Sequence, residues 1–140
     1  MSLLVVTRGI PGCGKTTRAR SWVSEDPRHR ARVNRDDLRV MLHSMRQSKI
    51  DECENAVTIS QYAMIRDLLL DGYDIVSDNT YLDDDILYDA RCVAEDTESR
   101  FEVWDMRDVP PEICIQRDAD RGCLVGSEVI LDMHQRHIAK

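Results

Sequence analysis

Short continuous apolar runs alternate along this chain with longer segments whose apolar residues recur at helical spacing. The first run, Leu3 to Thr7, reads as a strand buried on both faces. A helix is predicted from Gly14 to about Glu25, where Asp26-Pro27 stops it. Ala31 to Val33 forms a second short strand after a basic turn, Arg28-His29-Arg30. Asn34 then caps a helix that carries Asp36 and Asp37 in its first turn and reaches Met45. A longer helix covers Asp51 to Leu70, with Val57, Ser60/Gln61, Met64 and Leu68 as a partial stripe and Gly72 as its stop. Asp74 to Ser77 is the third strand. The helix opened by Asp83-Asp84-Asp85 places Ile86, Leu87, Ala90, Val93 and Ala94 on one side. Phe101 to Trp104 is the fourth strand. Asp108 caps the next helix, with Pro110 or Pro111 early in it and Gly122 past its end, and Ser127 caps a last helix to about His137. No repeat, low-complexity tract or linker interrupts this order.

Strands alternating with helices predict an α/β fold, a three-layer sandwich around a parallel sheet of about four strands. At 140 residues the chain is read as one domain over 1–140, too short for a second catalytic unit. Right-handed crossovers put the carboxyl ends of all strands on one edge, where ligands of such sheets bind. Four segments are therefore expected to rim one crevice: the glycine-rich stretch after the first strand, Asn34 to Asp37, Asp78 to Thr80, and Asp105 to Asp108.

The glycine-rich stretch is Gly9-Ile10-Pro11-Gly12-Cys13-Gly14-Lys15-Thr16-Thr17. It matches G-x-x-x-x-G-K-[ST] and lies between a strand and a helix, the context that makes the pattern specific. Glycines let successive N–H groups turn inward around an anion, and the following helix adds its positive end. Gly12, Cys13, Gly14, Lys15, Thr16 and Thr17 are thus expected to hold the phosphates of ATP. Lys15 would reach the β- and γ-phosphates, and the Thr16 hydroxyl would bind Mg²⁺ directly. Cys13 is expected to contribute only its backbone N–H.

Charge changes this picture in one respect. The net charge is -7, yet residues 8–49 hold eleven Lys/Arg against four Asp/Glu, and residues 51–140 hold eight against twenty-two. The end with the phosphate loop is basic, which permits a polyanionic substrate there. Five scattered cysteines without a C-x-x-C pair suit free thiols in a reducing cytoplasm. No apolar run nears the roughly 20 residues that span a bilayer, and no signal-peptide pattern opens the chain.

A phosphate loop alone does not separate a kinase from an ATPase, a GTPase or a passive binder. No N-K-x-D run is present, which argues against GTP switching. Asp36 or Asp37, just past a strand at the ligand edge, could accept a proton from an attacking hydroxyl; both could equally serve only the helix N-terminus. Arg117 and Arg121, spaced i, i+4 on a predicted helix, are either a lid that brings guanidiniums onto the triphosphate or a solvated pair answering Asp118 and Asp120. Asp78 is placed to support Mg²⁺ through water, or to cap a turn. His134-x-x-His137 lacks companion ligands and reads as packed or solvated. Asp118-Ala119-Asp120 follows no strand, so it is not a phosphatase D-x-D pair.

Taken together, Gly9-x-Pro11-Gly12-x-Gly14-Lys15-Thr16-Thr17, Asn34-Arg35-Asp36-Asp37-x-Arg39, Ser77-Asp78, Asp108-Val109-Pro110 and Arg117-x-x-x-Arg121-Gly122 resemble the kinase domain of phage-type 5′-hydroxyl polynucleotide kinases of the P-loop kinase superfamily. The resemblance extends over nearly all of the chain. It implies a P-loop NTPase sandwich with a helical lid and transfer of the γ-phosphate of ATP to the 5′-OH of DNA or RNA. Asp36 would match the general base, Lys15 and Thr16 the phosphate- and metal-binding pair, and Arg117 and Arg121 the lid arginines. Arg39, with Arg35 beside it, would match the arginine that holds the acceptor's phosphate, and Asp78 and Asn79 would line the acceptor side. It also admits a phage-encoded protein acting inside a host cell. Phage members carry a phosphatase domain as well, and none is expected within 1–140. The acidic segment 79–85 and an aromatic content of only 5% limit base stacking, so acceptor contacts should fall on the first few phosphates. Two rival readings are a kinase of a small hydroxyl metabolite or nucleoside, and a nucleotide-binding regulatory module without transfer activity.

Overall fold

The computed structural model describes residues 1–139. Its elements run β1 (Leu3–Arg8), α1 (Lys15–Glu25), β2 (Arg30–Val33), α2 (Arg35–His43), α3 (Asp51–Leu70), β3 (Asp74–Ser77), α4 (Asp84–Asp96), β4 (Arg100–Asp105), α5 (Pro111–Asp120) and α6 (Ser127–His137). The four strands form one parallel sheet in the order β2-β3-β1-β4. The predicted α/β sandwich with a four-stranded parallel sheet is therefore the observed architecture.

The continuous apolar run of β1 follows from its central place. Leu4 and Val6 face one side with Ile75, where α3 and α4 supply Val57, Ile65, Leu69, Ala90 and Ala94. Val5 faces the other side with Val76, against Ala19 of α1 and Trp104. The period of two thus serves two cores rather than a core and water. A third cluster at the ligand edge joins Ile10 and Cys13 to Leu82, to Cys114 of α5 and to Ile130 of α6. Among the described residues no helix is long and apolar enough to cross a membrane.

Several boundaries differ from the sequence reading. Helix α3 buries Val57, Gln61, Ile65 and Leu69, a strict i, i+4 row, while Met64 is left largely exposed. Gln61 takes a core position because its amide meets Arg35, Tyr81 and Ser77. Helix α2 stops at His43, with Ser44 at φ 57° closing it. Asp108 does not cap α5: Pro110 occupies that position and Pro111 the first helical one, where a missing N–H is harmless. Ser127 is likewise inside α6, and Gly126 is its cap.

The cap of α6 falls on Gly126 because of a buried carboxylate. Asp118, 2% exposed, accepts from the backbone N–H of Gly126 (2.9 Å) and Val125 (3.2 Å), and from Nε (3.0 Å) and Nη2 (2.9 Å) of Arg121. Gly126 at φ 99° turns its N–H toward that carboxylate, a conformation that side chains resist. Asp118 thereby pins the α5–α6 connection. Burial alone would push its carboxyl upward, but the Gly126 N–H, the Arg121 guanidinium and the Val125 N–H outweigh burial and hold it below the usual carboxylate range. A folded-state value below the unfolded one, about 3.9, contributes stability above that pH and loses it as pH falls through the folded value. Asp118→Asn should therefore lower the melting temperature at neutral pH and flatten the stability loss below about pH 4. Thermal melts of both proteins from pH 7 to 3 read this out, and parallel curves would contradict it. In the core, Ile65→Ala should cost about 2–5 kcal/mol in denaturant titration.

Candidate functional site

After β1 the chain turns through Gly9 to Gly14 before α1 begins. Gly9 N–H donates to Thr80 O at 3.0 Å, which ties the loop to the end of β3. Gly12 stands at φ +85°, and a Cβ there would lie 2.4 Å from the carbonyl oxygen of Cys114. Glycine is thus required twice over, by conformation and by the close approach of α5. Gly14, at φ 100°, is the residue that opens α1. The Cys13 side chain has a part the sequence reading did not give it: it is 2% exposed and packs with Ile10 and Cys114, anchoring the loop in the core.

Lys15 is folded back along the loop. Its Nζ donates to Gly9 O (3.0 Å) and Ile10 O (2.8 Å) and lies 3.6 Å from Cys13 Sγ. Arg117 of α5 reaches the same loop, with Nη1 donating to Gly12 O at 3.3 Å. Arg121 lies one residue past the end of α5 and is turned to Asp118. Both arginines, Lys15, Thr16 and Thr17 border one cleft of about 820 Å³ at the carboxyl edge of the sheet. Asp36, Arg35, Arg39, Asp78 and Asn79 border that cleft too. Residues from α1, α2, the turn after β3 and the C-terminal end of α5 are thus brought together.

Asp78, 1% exposed, sits at the end of β3. Its Oδ2 accepts from Thr16 Oγ1 (2.9 Å) and from Arg32 Nε (2.7 Å), while Oδ1 is buried with no partner. A hard, oxygen-binding cation fits this donor set: the Thr16 hydroxyl and one carboxylate, Asp78, with an unsatisfied oxygen. Among the described residues no group of three or more His, Cys, Asp or Glu could hold a metal. An ion at Thr16 and Asp78 would thus take most of its ligands from phosphates and water, as Mg²⁺ commonly does. Arg32 also donates to Asp37 Oδ2 at 2.7 Å. Burial works against its charge, but its hydrogen bonds to Asp78 and Asp37 prevail and raise its pKa above the ordinary value.

The two candidate bases are separated by these contacts. Asp37 is tied to Arg32 through its side chain and to Asn34 Oδ1 through its N–H (2.9 Å). Asp36 is half open to the cleft, with Oδ1 accepting from Arg39 Nη1 at 2.6 Å and Oδ2 3.6 Å from Arg46 Nη2. Arg39 is in turn gripped by Glu54, Nε to Oε2 at 2.7 Å and Nη2 to Oε1 at 2.8 Å. These bonds to Glu54 outweigh burial and raise the Arg39 pKa, and the same contact lowers that of Glu54. Asn79 is a brace: its Oδ1 accepts from Arg35 N (2.9 Å) and its Nδ2 donates to Ser77 Oγ (3.1 Å).

Arg32, Arg46 and Glu54 are the site residues that sequence reasoning missed; Asp118, expected as a solvated partner of the arginines, does pair with Arg121 but is buried. Arg32 had left a trace, a cation between Ala31 and Val33 in a strand heading to the ligand edge. Glu54 was hidden among Asp51 and Glu52 in an ordinary acidic first turn. A second cleft, about 760 Å³, adjoins the loop and shares Gly14 and Arg117 with the first. Arg18 lies 4.2 Å from the Trp104 ring centroid there, and Trp22 meets Trp104 edge to face at 5.8 Å.

A chain of the Pnkp1/Rnl/Hen1 RNA repair complex superimposes with a TM-score of 0.79 at 26% identity, over 96% of this chain and 43% of its own length. A second structure of the Pnkp1/Rnl/Hen1 complex gives 0.69 at 27% identity, over 83% and 38%. The chain therefore spans less than half the length of either. The Mycobacterium tuberculosis APS kinase CysC, solved with AMPPNP and APS, gives 0.65 at 20% identity over 84% and 68%, a likeness of fold alone. No curated protein matches the sequence. The model of the AAA domain family matches residues 4–139. With its phosphate loop, parallel sheet and kinase-like neighbours, the chain belongs to the AAA domain family as a P-loop kinase-type domain.

Proposed function

We propose that this domain transfers the γ-phosphate of ATP to the 5′-hydroxyl end of a DNA or RNA strand. The observation that carries this reading is Asp36, a carboxylate open to the cleft that also holds the phosphate loop, flanked by Arg35, Arg39 and Arg46. A wall of guanidiniums suits an acceptor with backbone phosphates better than a neutral sugar. The motif resemblance and the two repair-complex neighbours support the same substrate class.

In this mechanism the loop N–H groups and Lys15 take the β- and γ-phosphates, Lys15 exchanging its loop carbonyls for phosphate oxygens. The nucleoside enters the second cleft, between α1 and the end of β4. Thr16 and Asp78 would hold Mg²⁺, which supplies charge neutralisation at the phosphates. Asp36 orients the 5′-OH and accepts its proton as the hydroxyl oxygen bonds to the γ-phosphorus and the bond to the β-phosphate oxygen breaks, releasing ADP. Arg117 already touches the loop at Gly12, and Arg121 needs only to turn from Asp118 to face the same anion.

Asp36→Ala should keep the affinity for ATP and lose labelling of a 5′-OH oligonucleotide by about 10²–10⁴-fold, measured with γ-labelled ATP. Full labelling by that variant would remove Asp36 as the base. Wild-type protein offered 5′-OH DNA, 5′-OH RNA, nucleosides and sugars should label the strands; labelling of sugars or nucleosides alone would mean a metabolite kinase. Asp78→Asn should raise the Mg²⁺ concentration needed for half-maximal rate about tenfold. An unaltered Mg²⁺ titration would place the ion elsewhere.

A further inference from the structure

The turn after β3 meets both halves of the site. Its backbone serves the phosphate loop: Thr80 O accepts from Gly9 N (3.0 Å) and Tyr81 O from Arg8 Nε (3.0 Å). Its side chains serve the start of α2. Asn79 Oδ1 accepts from Arg35 N (2.9 Å), and Asn79 Nδ2 donates to Ser77 Oγ (3.1 Å). The Ser77 hydroxyl shares a hydrogen bond with the Tyr81 hydroxyl at 2.6 Å. Gln61 Nε2 donates to Tyr81 as well (3.3 Å), and Gln61 Oε1 accepts from Arg35 Nη1 (2.8 Å). Arg35, Asn79, Ser77, Tyr81 and Gln61 thus form a closed circuit that leaves Arg35 at its backbone and returns at its guanidinium. Arg35 is the first residue of α2 and the neighbour of Asp36. Tyr81 closes the circuit at a cost in backbone strain. It stands at φ 44°, where a bulky residue seldom settles, and is only 3% exposed. Strain of this kind persists only where surrounding contacts over-determine it.

We propose that Tyr81 is a positioning residue for phosphoryl transfer, its hydroxyl closing the circuit that fixes Asp36 relative to the phosphate loop. This rests on the reading of Asp36 as the base and holds for any acceptor. In the sheet order β2-β3-β1-β4, β3 separates the strand that feeds the loop from the strand that feeds α2. The distance from Asp36 to the loop is therefore set through the turn after β3. Asn34 Nδ2 bonds to Asp78 O at 2.6 Å and holds the cap of α2. The circuit adds two attachments at Arg35 and so sets the direction in which α2 leaves that cap. Arg39 lies on α2 itself, so its bond to Asp36 orients the carboxylate without fixing α2 against the loop. Without the Tyr81 hydroxyl, Ser77 and Gln61 keep only their own 3.5 Å contact, at the limit of a hydrogen bond. A misplacement of about 1 Å at a reacting group costs on the order of 10²-fold in rate.

The test measures kcat, KM for a 5′-OH oligonucleotide and affinity for ATP in wild type, Tyr81→Phe, Ser77→Ala, the double variant and Ile65→Val. The last is a core change one turn along α3 from Gln61 and controls for lost stability. Tyr81→Phe keeps the buried aromatic ring and should lower kcat about 10- to 100-fold, with KM and ATP affinity within about threefold. Ser77→Ala opens the same circuit from its other side and should do the same. The double variant should lose no more than either single one, since a circuit is broken once. Ile65→Val should keep the wild-type kcat. A wild-type kcat in both Tyr81→Phe and Ser77→Ala would overturn the proposal, as would losses that multiply in the double variant. A fall in ATP affinity that matches the fall in kcat, or a fall in kcat shared by Ile65→Val, would reduce Tyr81 to a part of the fold. If wild type labels neither the oligonucleotide nor a nucleoside or sugar, the kinase reading fails first, and Tyr81 has no reaction to position.

Discussion

Everything at the ligand edge is referred to one buried carboxylate, Asp78. It joins three strands' worth of chain: its own β3, Thr16 just after the loop from β1, and Arg32 from β2. Its N–H is fixed by Val33 O at 3.0 Å and its carbonyl by Asn34 Nδ2 at 2.6 Å. A buried carboxylate needs hydrogen-bonding partners, so Arg32, 2.7 Å from Oδ2, is as necessary to this arrangement as Asp78. The unpartnered Oδ1 is the exception that gives the cluster a use. A native fold seldom leaves such an atom unsatisfied, and here it lies beside a hydroxyl at the start of a phosphate-binding helix.

The same logic separates the adjacent aspartates of α2. Asp36 and Asp37 share a helix N-terminus, and only their partners distinguish them. Asp37 faces Arg32 and serves the fold around Asp78. Asp36 faces Arg39, which Glu54 holds from behind, so its direction is set by residues that never reach the triphosphate. A carboxylate placed by a braced guanidinium loses little freedom when an acceptor arrives, which is the economy of preorganised sites.

The fold was legible because its signals are local. The apolar run of β1, the glycine loop and the Asn34 cap each follow from a few consecutive residues, and the sheet's parallel order follows from their alternation with helices. Helix ends were less legible where a tertiary contact decided them, as at Gly126, whose N–H answers Asp118 from another helix. The candidate site was legible only in its motif spacing: Lys15, Thr16, Asp36, Arg117 and Arg121 do border one cleft. What no spacing carried was the role of Arg32, Glu54 and Arg46, because their partners Asp78, Arg39 and Asp36 lie on other elements. Asp118 of the D-x-D run lies within α5, and its carboxylate is the pin of the α5–α6 connection.

Lys15 and Arg117 show how the two halves of the site depend on each other. Both cations bond to carbonyls of the glycine loop, Lys15 from inside at Gly9 and Ile10, Arg117 from outside at Gly12. Gly12 in turn is pressed against the Cys114 carbonyl, and Cys13 is buried beside Cys114. Helix α5 is therefore packed onto the loop at Cys114, while Arg121, just past its far end, turns its guanidinium to Asp118. On the proposed function, phosphates would meet Lys15 and Arg117 at the loop both already touch, and Arg121 would have to leave Asp118 to join them.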